Sequence, residues 1–464
     1  MPDFVLRTRL NHPIADVFAW HMRPGALDRL IPPWERVTIE SREGTPATGG
    51  RVTFRVRRGP TEISFEVLHT DFEQDRLFRD EQIRGPFDRW VHTHRFEPEN
   101  GGACMVEDHI DWELPLGAAG HLLGESTVEE EFERLFTFRH RRLRNDLDRI
   151  ARYGNGAPLR VAVTGSSGLI GRTLCNVLTT SGHSVVSLVR SQETLPSDEA
   201  FWDPIGGTVE KEILEGADAV VHLAGEPLIG LRWTEAKKKR IWASRVEGTG
   251  HLASALARLR RPPSVLVSAS AVGFYGNRGD QMLSESASPG RGFLAELCQA
   301  WEAATRPAAQ MGIRVVNLRT GLTLTPAGGA LGTMLLPFKV GVGGRIGNGR
   351  QYVSWIDHDD LIGLIVHLIH TPSIREAVNA TAPYPVPNST FTDTLGRVLE
   401  RPTLIPVPAL AVKALFGDMG MEMLLNGQRV QPTVAENSGF EFMYPGLEES
   451  LRHQLGREAT TTAP

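Results

Sequence analysis

Cysteine, lysine and tyrosine are all scarce in this chain, and each scarcity closes a route. The three cysteines, Cys104, Cys175 and Cys298, are odd in number and widely spaced. Neither a disulfide framework nor a zinc site follows from such spacing, and no metal is expected. Only six lysines occur (Lys211, Lys237, Lys238, Lys239, Lys339 and Lys413), among many arginines. Positive charge is not in excess either. The net charge of −5 gives no reason to expect nucleic acid or an anionic membrane as a partner. No apolar run approaches membrane-spanning length, and Met1-Pro-Asp-Phe is not a basic stretch leading into an apolar one. A cytoplasmic protein is therefore expected. What remains is 464 residues of ordinary globular composition, enough for two or three domains with their own cores.

Residues 1–153 alternate in short stretches. Segments 3–10, 51–57, 61–69, 87–96 and 104–114 predict half-buried antiparallel strands separated by Gly, Pro and Asn. Pro13 to Met22 and Gly25 to Ile31 predict two short helices. Ser126 to Tyr153 predicts one long amphipathic helix with Val128, Phe132, Leu135, Phe136, Leu143, Leu147 and Ile150 on one face. Thr127 with Glu130 is spaced as a capping box at its start. In this order, and in Trp20-His-Met-Arg-Pro-Gly-Ala-Leu, the half resembles the START-like proteins of the polyketide cyclase/dehydrase group. The resemblance implies an α+β helix-grip fold and an apolar ligand as partner. Trp90, His92 and His94 alternate along one strand, as do Glu107, His109 and Asp111 along another. A polar-ligand or metal site is one reading of these residues; but alternation by itself requires polar outward residues, so they are expected to face solvent and are assigned no chemistry.

Gly154 to Pro158 reads as a short linker. Directly after it, Leu159 to Thr164 forms a buried-strand pattern that enters the turn Gly165-Ser-Ser167-Gly168-Leu169-Ile170-Gly171. The periodicity then becomes helical, Gly182 ends the helix, and Ser184 to Val189 forms a second strand. A glycine turn opening a helix inside a β-α-β unit suits a dinucleotide pyrophosphate, because the helix N-terminus offers free N–H groups and a positive dipole end. Strands at Ala219–Gly225, Ser264–Ser270 and Gly312–Arg319 alternate with helices at Thr234–Leu259 and Phe293–Gln310. This predicts a doubly wound parallel sheet over 159–385, a small helical cap over 386–452 and a disordered tail over 453–464.

The motifs Thr164-Gly-Ser-Ser-Gly-Leu-Ile-Gly, His222-Leu-Ala-Gly-Glu and Ser268-Ala-Ser-Ala-Val-Gly-Phe-Tyr-Gly276 resemble the extended short-chain dehydrogenase/reductases. Trp202-Asp-Pro, Gly292-Phe-Leu-Ala-Glu, Gly343-Gly and Ser354-Trp-Ile-Asp are similar to the sugar-nucleotide-epimerase-like branch, which carries a C-terminal domain of unknown function. The resemblance covers about 157–452. It implies that Leu223, Ala224, Gly225 and Glu226 line the path of the cofactor, with Arg245 in reach of the same region.

The second strand ends in Arg190-Ser191, where NAD enzymes usually carry an acid; Glu193 lies further on. A guanidinium can grip a 2′-phosphate and a serine can donate to it, so NADP(H) is the expected cofactor.

The superfamily's Tyr-x-x-x-Lys pair is missing. Tyr153, Tyr275, Tyr352, Tyr384 and Tyr444 are followed four places on by Ala157, Gly279, Ile356, Asn388 and Glu448. If Glu302 matches the family's helix glutamate, Leu294 and Cys298 occupy the two positions. Ser270 remains as a substrate-orienting hydroxyl, and Tyr275 is the candidate substitute acid. Cys298 has no neighbouring base to activate it. Asp357 and its neighbours are expected to cap the helix from Leu361. Two functions stay open. One is an NADP(H)-dependent oxidoreductase or epimerase acting on a small carbonyl or hydroxyl compound. The other is a non-catalytic NADP(H)-binding protein whose N-terminal half carries or senses an apolar ligand. A third joins them, in which the N-terminal half delivers a hydrophobic substrate to the reductase half.

Overall fold

The computed structural model describes residues 2–115, 117–154, 156–190, 198–230 and 232–458. They form two compact units, one built chiefly from the first 155 residues.

The first unit is an antiparallel sheet of seven strands: β1 (Asp3–Leu10), β2 (Val37–Glu43), β3 (Arg51–Arg58), β4 (Thr61–Glu73), β5 (Leu77–Arg84), β6 (Arg89–Glu99) and β7 (Ala103–Glu113), in the order β1-β7-β6-β5-β4-β3-β2. Two short helices, α1 (Ile14–Met22) and α2 (Ala26–Leu30), follow β1, and the long α3 (Gly117–Tyr153) closes the unit. Leu143 and Leu147 of α3 join Leu10, Phe18, Trp20 and Phe96 in one core cluster, and Phe132 and Phe136 join Ile110 and Trp112 in another.

Four expectations for the chain ends and strands need correction. Strands β2 and β5 escape the periodicity reading because about half of their residues are charged and β5 turns Asp80 inward. Helix α3 runs on through Gly117, which leaves Thr127 in mid-helix rather than at a cap. His92 and His94 do not face solvent: they are 1% and 8% exposed. Each has an acid directly opposite, Asp80 across from His92 and Asp108 across from His94, and these acids are buried with them. Glu107 lies on the other face of the sheet but is buried as well, at 7% exposure, under Arg7 at 2.6 Å and Arg95 at 2.5 Å. Finally, His453–Leu455 belong to a helix (Leu447–Leu455) and are buried, so the expected tail begins too early. His453 reaches Asp359 at 3.0 Å and Gln454 reaches Asp357 at 3.1 Å, contacts that the local sequence does not announce.

The second unit is a doubly wound sheet. Its strands are β8 (Arg160–Thr164), β9 (Ser184–Val189), β10 (Glu199–Asp203), β11 (Thr208–Val209), β12 (Ala219–His222), β13 (Val265–Ala271), β14 (Arg314–Thr320) and β15 (Glu376–Ala380). They lie in the order β11-β10-β9-β8-β12-β13-β14-β15, parallel except for β11 against β10. Val161, Ala162 and Val163 are fully buried, as befits a strand with helices over both faces. The strand order reverses between β8 and β12, and ligands of such sheets bind at that switch point, outside the carboxyl ends. The Gly165 turn stands there.

Candidate functional site

The turn after β8 is shaped by glycine where glycine is needed. Gly165 has φ +71°, and a Cβ on it would lie 2.9 Å from the Ala224 nitrogen. A Cβ on Gly171 would meet the Gly165 carbonyl oxygen at 2.1 Å, so only glycine lets the helix Leu169–Thr180 press this closely on the strand end. Gly168 is less confined, with 3.2 Å to the same oxygen. The first N–H groups of that helix have no intrahelical acceptors. A side-chain-free turn delivering these donors to the switch point fits a dinucleotide pyrophosphate.

A buried brace sets the neighbouring strand end. Thr164 Oγ1 accepts from the backbone N–H groups of Leu223 (3.1 Å) and Ala224 (3.2 Å), so its own hydrogen goes to His222 Nδ1 at 2.7 Å. That assigns the tautomer: Nε2 carries the proton and donates to Thr249 Oγ1 at 2.9 Å. Burial, with the charge of Arg245 adding to it, pulls His222 down to about 4, so the ring is neutral near pH 7.

Beyond Gly225, the helix Glu235–Trp242 passes through one π-turn, Ala243–Glu247, before it resumes at Gly248. Thr234 caps its start by accepting from the Lys237 N–H. The π-turn aims two side chains at one backbone segment. Ser244 Oγ accepts from Glu226 N at 3.0 Å, and Arg245 donates to the Glu226 carbonyl at 2.9 Å. Arg245 is buried against the Trp301 ring, and burial lowers its guanidinium to about 10. The Glu226 carboxylate pairs with Lys237 at 2.7 Å and Arg240 at 3.3 Å. Arg190 is exposed at the carboxyl end of β9. Ser191 and Glu193 lie outside the described residues.

The residues at the end of β13 form a closed polar chain. Ser270 Oγ donates to Glu302 at 2.8 Å. Arg319 clamps the same carboxylate with two bonds, 2.8 and 2.9 Å, and donates to the Tyr275 hydroxyl at 3.0 Å. Tyr275 in turn donates to Asn379 at 2.7 Å. Tyr275 is 0% exposed, and burial pushes its hydroxyl above the ordinary tyrosine value. The expectation that Tyr275 projects into a cleft as a substitute acid is therefore corrected: the 3-10 turn Val272–Tyr275 folds the ring inward, where Arg319 and Asn379 hold its oxygen. Ser270 does stand at the strand end, close to Glu302. Cys298 is buried, and burial together with the Glu302 charge drives its thiol up to about 12, so it is no nucleophile. Leu294 packs with Trp233, Ile241, Leu297 and Met419.

Glu302 was legible only through the family pattern, and Arg319, Asn379 and Ser244 carried no local signal. Neither did Glu422. From the C-terminal segment Met421–Leu425 it accepts from the N–H groups of Phe293 and Leu294, each at 2.8 Å, and so caps the helix Phe293–Ala303. Asp357, as expected, accepts from Asp359 N at 2.8 Å at the start of the helix His358–His370.

A parallel sheet with this strand order, a glycine turn at its switch point and a serine at the end of β13 define a short-chain dehydrogenase/reductase of the extended type. Family models agree on three segments: polyketide cyclase/dehydrase and lipid transport over 10–134, NAD dependent epimerase/dehydratase over 161–380, and a domain of unknown function over 407–454. An epimerase family protein of Mycobacterium bovis is 43% identical over 297 residues, 64% of this chain and 98% of that protein. The chain belongs to the epimerase family that includes the human protein SDR39U1. The crystal structure of human SDR39U1, solved with NADPH, is 34% identical and covers 64% of this chain and 99% of its own, at TM-score 0.59. A Corynebacterium glutamicum structure described as a nucleoside-diphosphate sugar epimerase matches both units, at 32% identity and TM-score 0.82 over 99% of this chain and 91% of that one. Among the described residues no helix is long and apolar enough to cross a membrane.

Proposed function

We propose that this chain binds NADP(H) and acts as an oxidoreductase or epimerase on a small compound bearing a carbonyl or hydroxyl group. One observation carries the reading: a glycine turn pressed against Leu223–Ala224, with the exposed Arg190 at the end of the adjacent strand. A guanidinium there can grip a 2′-phosphate, which distinguishes NADP from NAD. The human relative solved with NADPH supports the choice. Gly165, Ser167, Gly168, Leu169, Ile170 and Gly171 would hold the pyrophosphate, with Ser191 beside Arg190. Leu223 to Glu226, braced by Arg245 and Ser244, would line the ribose. When bound, the nicotinamide gives or takes hydride.

Ser270 has its hydrogen committed to Glu302, so its lone pairs can accept from a substrate hydroxyl. A proton leaving that hydroxyl would pass through Ser270 to the Glu302 carboxylate. Tyr275 serves as a brace for Arg319 rather than as the acid. The test is a fluorescence titration with NADPH and NADH, beside Arg190→Ala. Loss of one or two charge-assisted bonds should weaken NADPH about 10–100-fold and leave NADH unchanged. Equal weakening of both nucleotides, or of neither, overturns the 2′-phosphate assignment.

Non-catalytic NADP(H) binding, with the N-terminal domain as carrier or sensor of an apolar ligand, is favoured by a different observation. Leu294 and Cys298, at the positions of the missing pair, are buried and cannot transfer a proton at neutral pH. Hydride exchange from C4-deuterated NADPH into a panel of carbonyl compounds separates the readings: transfer to any of them supports catalysis, and none supports the binding protein.

A further inference from the structure

The inner face of the N-terminal sheet carries a polar cluster that an apolar-ligand domain does not require. His69, Asp80 and His92 stand in register across β4, β5 and β6, and His94 and Asp108 face each other across β6 and β7. His140 of α3 completes the group, with Nε2 2.5 Å from Asp108 Oδ2. Asp80, His92, His94, Asp108 and His140 are all buried.

Asp80, His92 and His94 each turn one ligand atom toward a common point, and these atoms lie within 4.8 Å of one another. His92 Nδ1 is 3.5 Å from Asp80 Oδ2, and His94 Nε2 is 3.7 Å from Asp80 Oδ1. Those separations are long for hydrogen bonds. They run to different oxygens of Asp80, and each is near the ~3.4 Å ligand-to-ligand separation that metal bonds of about 2.0–2.1 Å give in a tetrahedron. The far nitrogens of both rings lie near a second carboxylate: Asp108 Oδ1 is hydrogen-bonded to His92 Nε2 at 2.8 Å, and His94 Nδ1 is 2.6 Å from the same oxygen but outside hydrogen-bond geometry. For His92 this is the outer-shell arrangement that fixes ring orientation and raises the basicity of a metal-binding imidazole, and the same carboxylate lies beside His94. The two rings are 3.9 Å apart at their centroids, with Phe78 stacked on one at 4.1 Å and Phe136 edge-on to the other at 5.2 Å. Two imidazoles so close repel if both are protonated, whereas one shared cation satisfies both of them and the two buried carboxylates. Beside them, His69 Nδ1 is buried without a hydrogen-bond partner, 3.8 Å from Asp80 Oδ1.

We infer that the N-terminal domain binds one divalent transition-metal ion of the zinc type through Asp80, His92 Nδ1 and His94 Nε2, with Asp108 as the positioning carboxylate. Three protein ligands leave a coordination position open to water or to a polar group of a bound molecule. Nitrogen and oxygen donors exclude a thiolate-type site, and Cys104 is not among the ligands.

The full chain, stripped with chelator and dialysed, is titrated with zinc against a chromophoric competitor and with cobalt by visible absorption. One equivalent should bind, with the d–d bands of a four- or five-coordinate cobalt site. His92→Gln and His94→Gln should each lower affinity at least about 100-fold, and Asp108→Asn about 10–100-fold, in proteins shown to be folded by circular dichroism. Anomalous diffraction from a zinc-loaded crystal of the unaltered protein decides the matter even if the variants do not fold. A peak between Asp80, His92 and His94 is the expected result. No stoichiometric binding by the unaltered protein, a peak elsewhere, or folded histidine variants that bind as it does would each overturn the site.

Discussion

Arg319 offers a direct test of whether the polar chain behind Ser270 is held together by its buried ion pair. Arg319→Met keeps an apolar stem and removes a guanidinium that makes two bonds to Glu302, one to the Tyr275 hydroxyl and one to the Glu285 carbonyl. The paired side chains are 6% and 13% exposed, so water cannot replace the lost partner. Breaking a buried pair from one side costs about 3–5 kcal/mol, because the surviving carboxylate stays buried and charged. Glu302→Gln is milder. The amide oxygen can still accept, and Arg319 keeps Tyr275, the Glu285 carbonyl and the Phe274 ring 3.5 Å away. Its cost should be about 1–3 kcal/mol. In the double variant no ion is stranded, so the total should fall short of the sum by about 2 kcal/mol. Hydrogen-exchange mass spectrometry in mild urea, read on peptides spanning β13 and β14, reports the local opening free energy of these strands. An Arg319→Met protein whose exchange in those peptides changes less than about tenfold (1.4 kcal/mol), or single losses that simply add, refutes the reasoning.

Gly171→Ala places a methyl 2.1 Å from the Gly165 oxygen, whereas Gly168→Ala meets the same atom at 3.2 Å. The first should cost about 1–3 kcal/mol or more and weaken NADPH binding, and the second should melt near the parent; thermal melts and NADPH titration compare them. The opposite ranking would mean that the turn is not packed as described. Stability should also fall on acidification through His222. Its folded value of about 4 lies below the unfolded 6.5, so the contribution is complete above pH 6.5 and is lost as the pH falls toward 4. The full effect is about 3 kcal/mol. His222→Asn should flatten that part of the pH profile measured by urea unfolding, and an unchanged profile would exclude His222 as its source.

The glycine turn was legible because all its determinants are local. Strand, glycine spacing and helix follow one another between Leu159 and Gly182, and steric need confines Gly165 and Gly171 wherever that unit folds. The division into an antiparallel and a parallel half was legible for the same reason, since periods of two and of 3.6 are written in consecutive residues. So was the missing Tyr-x-x-x-Lys, because an i, i+4 pair can be sought exhaustively in a chain with five tyrosines.

Which face of a strand looks inward is different. Alternation shows that two faces differ, but the side that meets the core depends on the layer packed against it. The polar positions of β6 therefore read as solvated, yet Asp80 and Asp108 make their face a stable interior for His92 and His94. Tyr275, Arg319 and Asn379 meet across separations of 44 and 104 residues, and Glu422 reaches Phe293 across 129. No short-range pattern encodes such pairings. The sequence by itself determined where the glycine turn and the two folds lie. The tertiary structure decided which polar groups are removed from water together, because desolvation is a property of the packed whole and not of neighbours along the chain.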